Sequence, residues 1–124
     1  MTETIPSGIC LENLIQNHHA EILSREKNND KFIHLYNIGA HWVAFEQSAY
    51  RLNDLFPKCE LSLFIVPDRP DYVVMASVPG DKGNAYFRKH IISRDGLNYK
   101  VLEAAPLVAE YYQKWHVDAV RSVL

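Results

Sequence analysis

The chain has 124 residues, 48% apolar and 23% charged, which is the balance of a soluble globular protein and not of a disordered or fibrous one. That length buries a core without metal or disulfide support, so a single domain over residues 1–124 is expected. A net charge of −2 excludes a general attraction to nucleic acid or anionic lipid and leaves room only for a local polyanion site.

In chain order, Leu11, Leu14, Ile15, His18 and Ile22 recur at helical spacing and predict a helix from about Cys10 to Lys27, followed by an Asn28-Asn29-Asp30 turn. Phe32 to Ile38 is a mostly apolar run, as a strand covered on both faces should be, and Gly39 interrupts it. His41 to Phe45 can continue as strand. Glu46 to Phe56 reads as helix, stopped by Pro57. Leu61 to Val66 and Tyr72 to Val78 flank the turn-rich Pro67-Asp68-Arg69-Pro70 and form an expected antiparallel hairpin.

Pro79 to Gly83 reads as a loop, and a helix is expected from about Asn84 to Ser93 with Phe87 and Ile91 on one face. Tyr99 to Leu102 is the expected last strand. Pro106 opens a closing helix whose buried stripe is Val108, Tyr112, Trp115 and Ala119. The order α-β-α-β-β-α-β-α, with hairpin and crossover connections, points to an α+β fold with a mixed β-sheet flanked by helices.

Cys10 and Cys59 are too few and isolated for a disulfide framework and read as free thiols of a reducing compartment. The opening Met1-Thr2-Glu3 lacks a basic region followed by an apolar core, and no run approaches the roughly 18 apolar residues of a membrane span, so a cytoplasmic location without membrane contact is expected. Six histidines invite a metal, but the adjacent His18 and His19 diverge on a helix, and His34, His90 and His116 are scattered. His18, on the apolar stripe, reads as a partly buried, hydrogen-bonded imidazole. Gly80-Asp81-Lys82-Gly83 lacks the remainder of a phosphate loop. Neither a catalytic constellation nor a cofactor motif stands out.

The most informative segment is Tyr36-Asn37-Ile38-Gly39-Ala40-His41-Trp42-Val43-Ala44-Phe45, which sets an aromatic cluster that reads as exposed between a strand and a helix. It resembles the N-terminal mismatch-recognition domain of MutS, domain I, where the stretch runs aromatic-x-hydrophobic-Gly-Asp-Phe-Tyr-Glu-x-Phe; Tyr36, Ile38, Gly39 and Phe45 match without a gap. Met75-Ala76-Ser77-Val78-Pro79 is similar to the family's Met-Ala-Gly-Val/Ile-Pro, and Tyr86 falls on an aromatic of the next helix. With a weaker echo over Gly96 to Glu103, the resemblance spans roughly Leu11 to Glu103.

The resemblance implies a DNA-facing surface in which a Phe wedge stacks on a mispaired base and a Glu hydrogen-bonds to it. Here His41 stands for the Phe, Val43 for the Glu and Ala40 for the Asp. Imidazole stacks with less area than phenyl, and valine accepts no hydrogen bond. Alternation in a continuing strand puts Trp42 and Ala44 on one side, and core is the favoured reading for Trp42.

Between Lys82 and Lys100 stand Lys82, Arg88, Lys89, Arg94 and Lys100 against the single carboxylate Asp95. Lys82, Arg88 and Lys89 are therefore candidate phosphate contacts, although a solvated helix face explains them as well. The expectation is a non-enzymatic module that binds DNA through His41, Val43, Lys82, Arg88 and Lys89. The alternative is a protein-interaction module, or a homo-oligomer joined through the broadly apolar C-terminal helix.

Overall fold

A computed structural model describes residues 7–67 and 69–124; Met1-Thr2-Glu3, read above as an opening without a leader, and Asp68 of the 67–70 turn lie outside these residues. The elements are α1 (Ser7–Glu26), β1 (Phe32–Asn37), β2 (His41–Phe45), α2 (Gln47–Leu55), β3 (Glu60–Phe64), β4 (Val73–Pro79), α3 (Gly80–Phe87), β5 (Ile92–Asp95), β6 (Tyr99–Glu103) and α4 (Ala109–Val123). The α+β class holds, with two more strands than expected.

The six strands form one sheet in the order β3-β4-β2-β1-β6-β5, and every neighbouring pair is antiparallel. The expected mixed sheet is thus corrected. Crossovers exist, since β2 and β3 are both antiparallel to β4 and so run in the same direction, but β4 lies between them and no parallel neighbours result. The expected β3–β4 hairpin is present. Gly39, at φ 102°, turns β1 back into β2 where a continuous strand was one reading, and the Asn37 Oδ1 accepts its backbone N–H at 2.6 Å.

Two helix boundaries moved for identifiable reasons. The helix expected over 84–93 occupies Gly80–Phe87, because Asp81 suits a first turn and Gly83 lets the helix close on the sheet. A Cβ on Gly83 would stand 3.2 Å from Val78 Cγ2. Ile91 accordingly falls outside the helix and is exposed. At the C-terminus, residues 104–108 run extended, with the Ala104 and Leu107 N–H groups donating to Lys31 and Asp30 carbonyls, so α4 starts at Ala109 and Val108 is exposed, not buried in its stripe.

One face of the sheet carries α2, α3 and α4 over a cluster that includes Leu35, Trp42, Ala44, Leu52, Phe87 and Leu102. Among the described residues the other carries α1 alone, whose Ile22 and Leu23 pack on Val43, Phe45 and Met75. Each large side chain so buried contributes about 1.5–3 kcal/mol. Cover on the α1 side thins beyond β1: His34 and Tyr99 are half-buried, and Arg94 and Glu103 exposed. His18 is exposed and stands 3.8 Å from Glu21, a correction to its expected burial; the half-buried imidazole is that of His19, which bonds the Ile15 carbonyl at 2.9 Å.

Candidate nucleic-acid interface

The β1–β2 turn and the start of α3 form one edge of the molecule. His41 pairs with Pro79 in the β2–β4 ladder, and the Gly80 N–H donates to the Ala40 carbonyl at 2.8 Å. A Cβ on Gly80 would meet that carbonyl oxygen at 3.2 Å, so glycine permits the close approach. His41 is half-buried at this edge, while Lys82, Arg88 and Lys89 are exposed along α3 and its C-terminal turn. Among the described residues none of these three cations is held in an ion pair. Lys82 also joins Lys58 in lining a groove of about 380 Å³ between α2 and the end of β4.

Val43 does not belong to this edge. It is completely buried under α1, so its expected DNA contact is ruled out by position as well as by chemistry. The aromatic cluster read as exposed is likewise interior: Tyr36, Trp42 and Phe45 are all buried. Trp42 is core as favoured, and its indole N–H donates to Asn84 Oδ1 at 3.0 Å. Alternation holds along β2, yet both of its faces are interior, because helices cover both sides of the central strands. Lys100 is also occupied, bonded to Asp95 and lying 5.5 Å from the centroid of the Trp42 ring.

Two buried carboxylates escaped sequence reasoning. Glu46 has a positive φ of 52°, a conformation that costs a non-glycine residue on the order of 1–3 kcal/mol unless its surroundings hold it. They do so here. Glu46 Oε1 accepts from the Val74 N–H at 2.8 Å and from His116 Nε2 at 3.1 Å, Oε2 accepts from the Tyr112 hydroxyl at 3.0 Å, and Arg69 stands 3.6 Å away. The bond to Glu46 raises the His116 pKa, whereas burial, followed by the nearby Glu46 charge, raises that of Tyr112. These side chains tie α4 to the β2–α2 junction.

Glu26, at the end of α1, accepts from Ser48 N–H at 3.0 Å, Ser48 Oγ at 2.7 Å and Asn29 Nδ2 at 3.0 Å. Burial nevertheless dominates and pushes its pKa up to about 7. Only the flanking residues carried any sequence signal for this site, since Asn29 reads as a turn former.

Among the described residues, no three His, Cys, Asp or Glu side chains are grouped to hold a metal ion, and no helix is long and apolar enough to cross a membrane. Cys59 is a partly buried free thiol. In comparisons with known proteins, no family model, no curated protein and no solved structure matches this chain.

Proposed function

We propose that the chain is a non-enzymatic, MutS domain I-like module that binds DNA through the β1–β2 turn and α3. The supporting observation is the junction of His41 with the start of α3, the helix that carries Lys82 and leads into Arg88 and Lys89, all three cations being exposed. Cations at a loop–helix junction suit sequence-independent phosphate contact, and an imidazole offers a modest stacking face. With Val43 interior and no carboxylate at its position, the wedge-and-acceptor reading of a mispaired base is reduced to stacking alone.

The test is anisotropy with labelled matched and mismatched duplexes at low and moderate salt. Lys89→Ala is expected to weaken both duplexes alike and to lower the salt slope by about 0.9, the value for one lost phosphate contact. His41→Ala is expected to erase any preference for the mismatched duplex. Wild type and both variants binding equally at low salt would rule out this edge.

A second reading has its own observation. Ile91, Val108 and Tyr111, exposed at 70%, 51% and 65%, rim a groove of about 640 Å³ between α2 and the lead-in to α4. Exposed apolar side chains around a groove suit a protein partner or a second copy of the chain. Light scattering during the same titrations separates the readings: a dimer that Tyr111→Glu dissolves, with no DNA bound, favours the interaction module.

A further inference from the structure

The part of the α1 side left uncovered by the described residues is unlike the α3 edge. Register places Tyr36 opposite Tyr99, His34 opposite Val101 and Arg94 opposite Val101, so these side chains share one face of β1, β6 and β5. Tyr99 is its centre. The His34 imidazole is parallel to the Tyr99 ring, at 4° between planes with centroids 6.0 Å apart, and its Nδ1 is 2.7 Å from the Tyr99 hydroxyl. Tyr36 stacks on Tyr99 with centroids 5.3 Å apart. Two guanidinium groups converge on the same ring: Arg25, from the last turn of α1, at 4.7 Å from its centroid, and Arg94, from β5, at 5.1 Å.

The charge of this face is positive where the rings are. Arg94 forms no ion pair among the described residues, and the contact of Arg25 with Glu21 is loose at 3.8 Å. Glu103 shares the face but sits at its far end, opposite Phe32. His34, with its pKa lowered to about 4 by burial and by Arg25, is neutral at physiological pH and offers a ring without adding charge. Parallel, partly exposed rings flanked by arginines suit a nucleobase with its neighbouring phosphates. A rigid duplex hides its base faces, so the matching ligand is unpaired.

We propose that this open sheet face binds single-stranded nucleic acid, a base stacking on the Tyr99 ring in place of the exposed Arg94 guanidinium and its phosphates contacting Arg25 and the displaced Arg94. This surface is separate from the α3 edge and stands or falls independently of it. The experiment is anisotropy of the full chain with a labelled oligothymidylate of about 12 nucleotides, within the site sizes of aromatic-lined surfaces, beside a matched duplex. Tyr99→Leu is expected to weaken oligothymidylate binding roughly five- to 150-fold, the range of one lost stacked base, while Tyr99→Phe keeps the ring and most of the affinity. Arg94→Ala, at an exposed position that leaves the fold intact, is expected to weaken it and to flatten the salt slope by about 0.7.

Neither exposed variant should affect the other's ligand: Arg94→Ala leaves duplex binding unchanged, and Lys89→Ala leaves oligothymidylate binding unchanged. Absence of oligothymidylate binding at low salt overturns the platform, as does wild-type affinity in Arg94→Ala and Tyr99→Leu. Equal losses of both ligands in both variants overturn it too, because they would mean one shared surface. Oligothymidylate binding without duplex binding supports the platform and removes the α3 edge.

Discussion

The two faces of the sheet are built to different rules. Under α2, α3 and α4 the interior is an apolar cluster in which Leu35, Ala44, Leu52 and Leu102 have no exposed surface. On the other side α1 closes only part of the sheet, and from β1 outward tyrosine, histidine and arginine surround Val101, held by ring contacts and by the Arg25–Tyr36 and His34–Tyr99 bonds. A face that is closed by helices spends its residues on stability, whereas a face left open has residues whose loss costs the fold little. The buried carboxylates mark the boundary: Glu26 and Glu46 sit at the ends of α1 and β2, where polar backbone must be satisfied inside.

That contrast can be broken or sharpened by five substitutions, each followed by chemical denaturation. Leu52→Ala, in the closed face, is expected to cost about 2–5 kcal/mol, and a cost under 1 would mean that this cluster is not close-packed. Glu26→Gln tests the α1 boundary through pH. Burial raises the Glu26 pKa from 4.5 to about 7, so in that window the folded chain holds a proton that the unfolded chain has released. Its stabilising effect is complete at acid pH and lost as pH rises to 7. The variant should therefore gain on wild type by an amount on the order of 3 kcal/mol between pH 4.5 and 8, and a constant difference would contradict the raised pKa.

Glu46→Ala leaves the Val74 N–H and the Tyr112 hydroxyl without their acceptor, with an expected loss of about 1–3 kcal/mol. Glu46→Gly should lose less, since it relieves the positive φ while removing the same bonds. Arg94→Ala, on the open face, should change stability by less than about 0.5 kcal/mol. A larger loss there would show that the open face also serves the fold.

Much of the closed face was legible because its signals are local. Leu52 falls at helical spacing on α2, Phe87 in α3, and Trp42 alternates with Ala44 along β2. Val43 was misplaced because the resemblance set it at a DNA-reading position and alternation put it opposite the core residue Trp42, whereas a strand covered by helices on both sides has no solvent face. β5 left no trace, since its Ile-Ser-Arg-Asp is polar and bulged and is a strand only because β6 lies beside it. Tertiary pairing alone defines it. Glu46 read as an ordinary residue at a helix start, with its acceptor role hidden in partners 28, 66 and 70 positions away. The cations on and after α3 were legible by composition, but the meeting of the β1–β2 turn with the start of that helix depends on the Ala40–Gly80 contact.

The place of β1 in the strand order carries a consequence for synthesis. β1 to β4 can assemble as a contiguous four-stranded sheet as soon as they leave the ribosome, but β1's other edge waits for a partner that begins at Tyr99. Until then Phe32–Asn37 presents a row of unpaired backbone groups beside Leu35 and Tyr36, the kind of edge that recruits another chain. Stalled or truncated products that end before β6 should therefore aggregate through β1, and the hazard ends once Phe32 to Tyr36 pair with Glu103 to Tyr99.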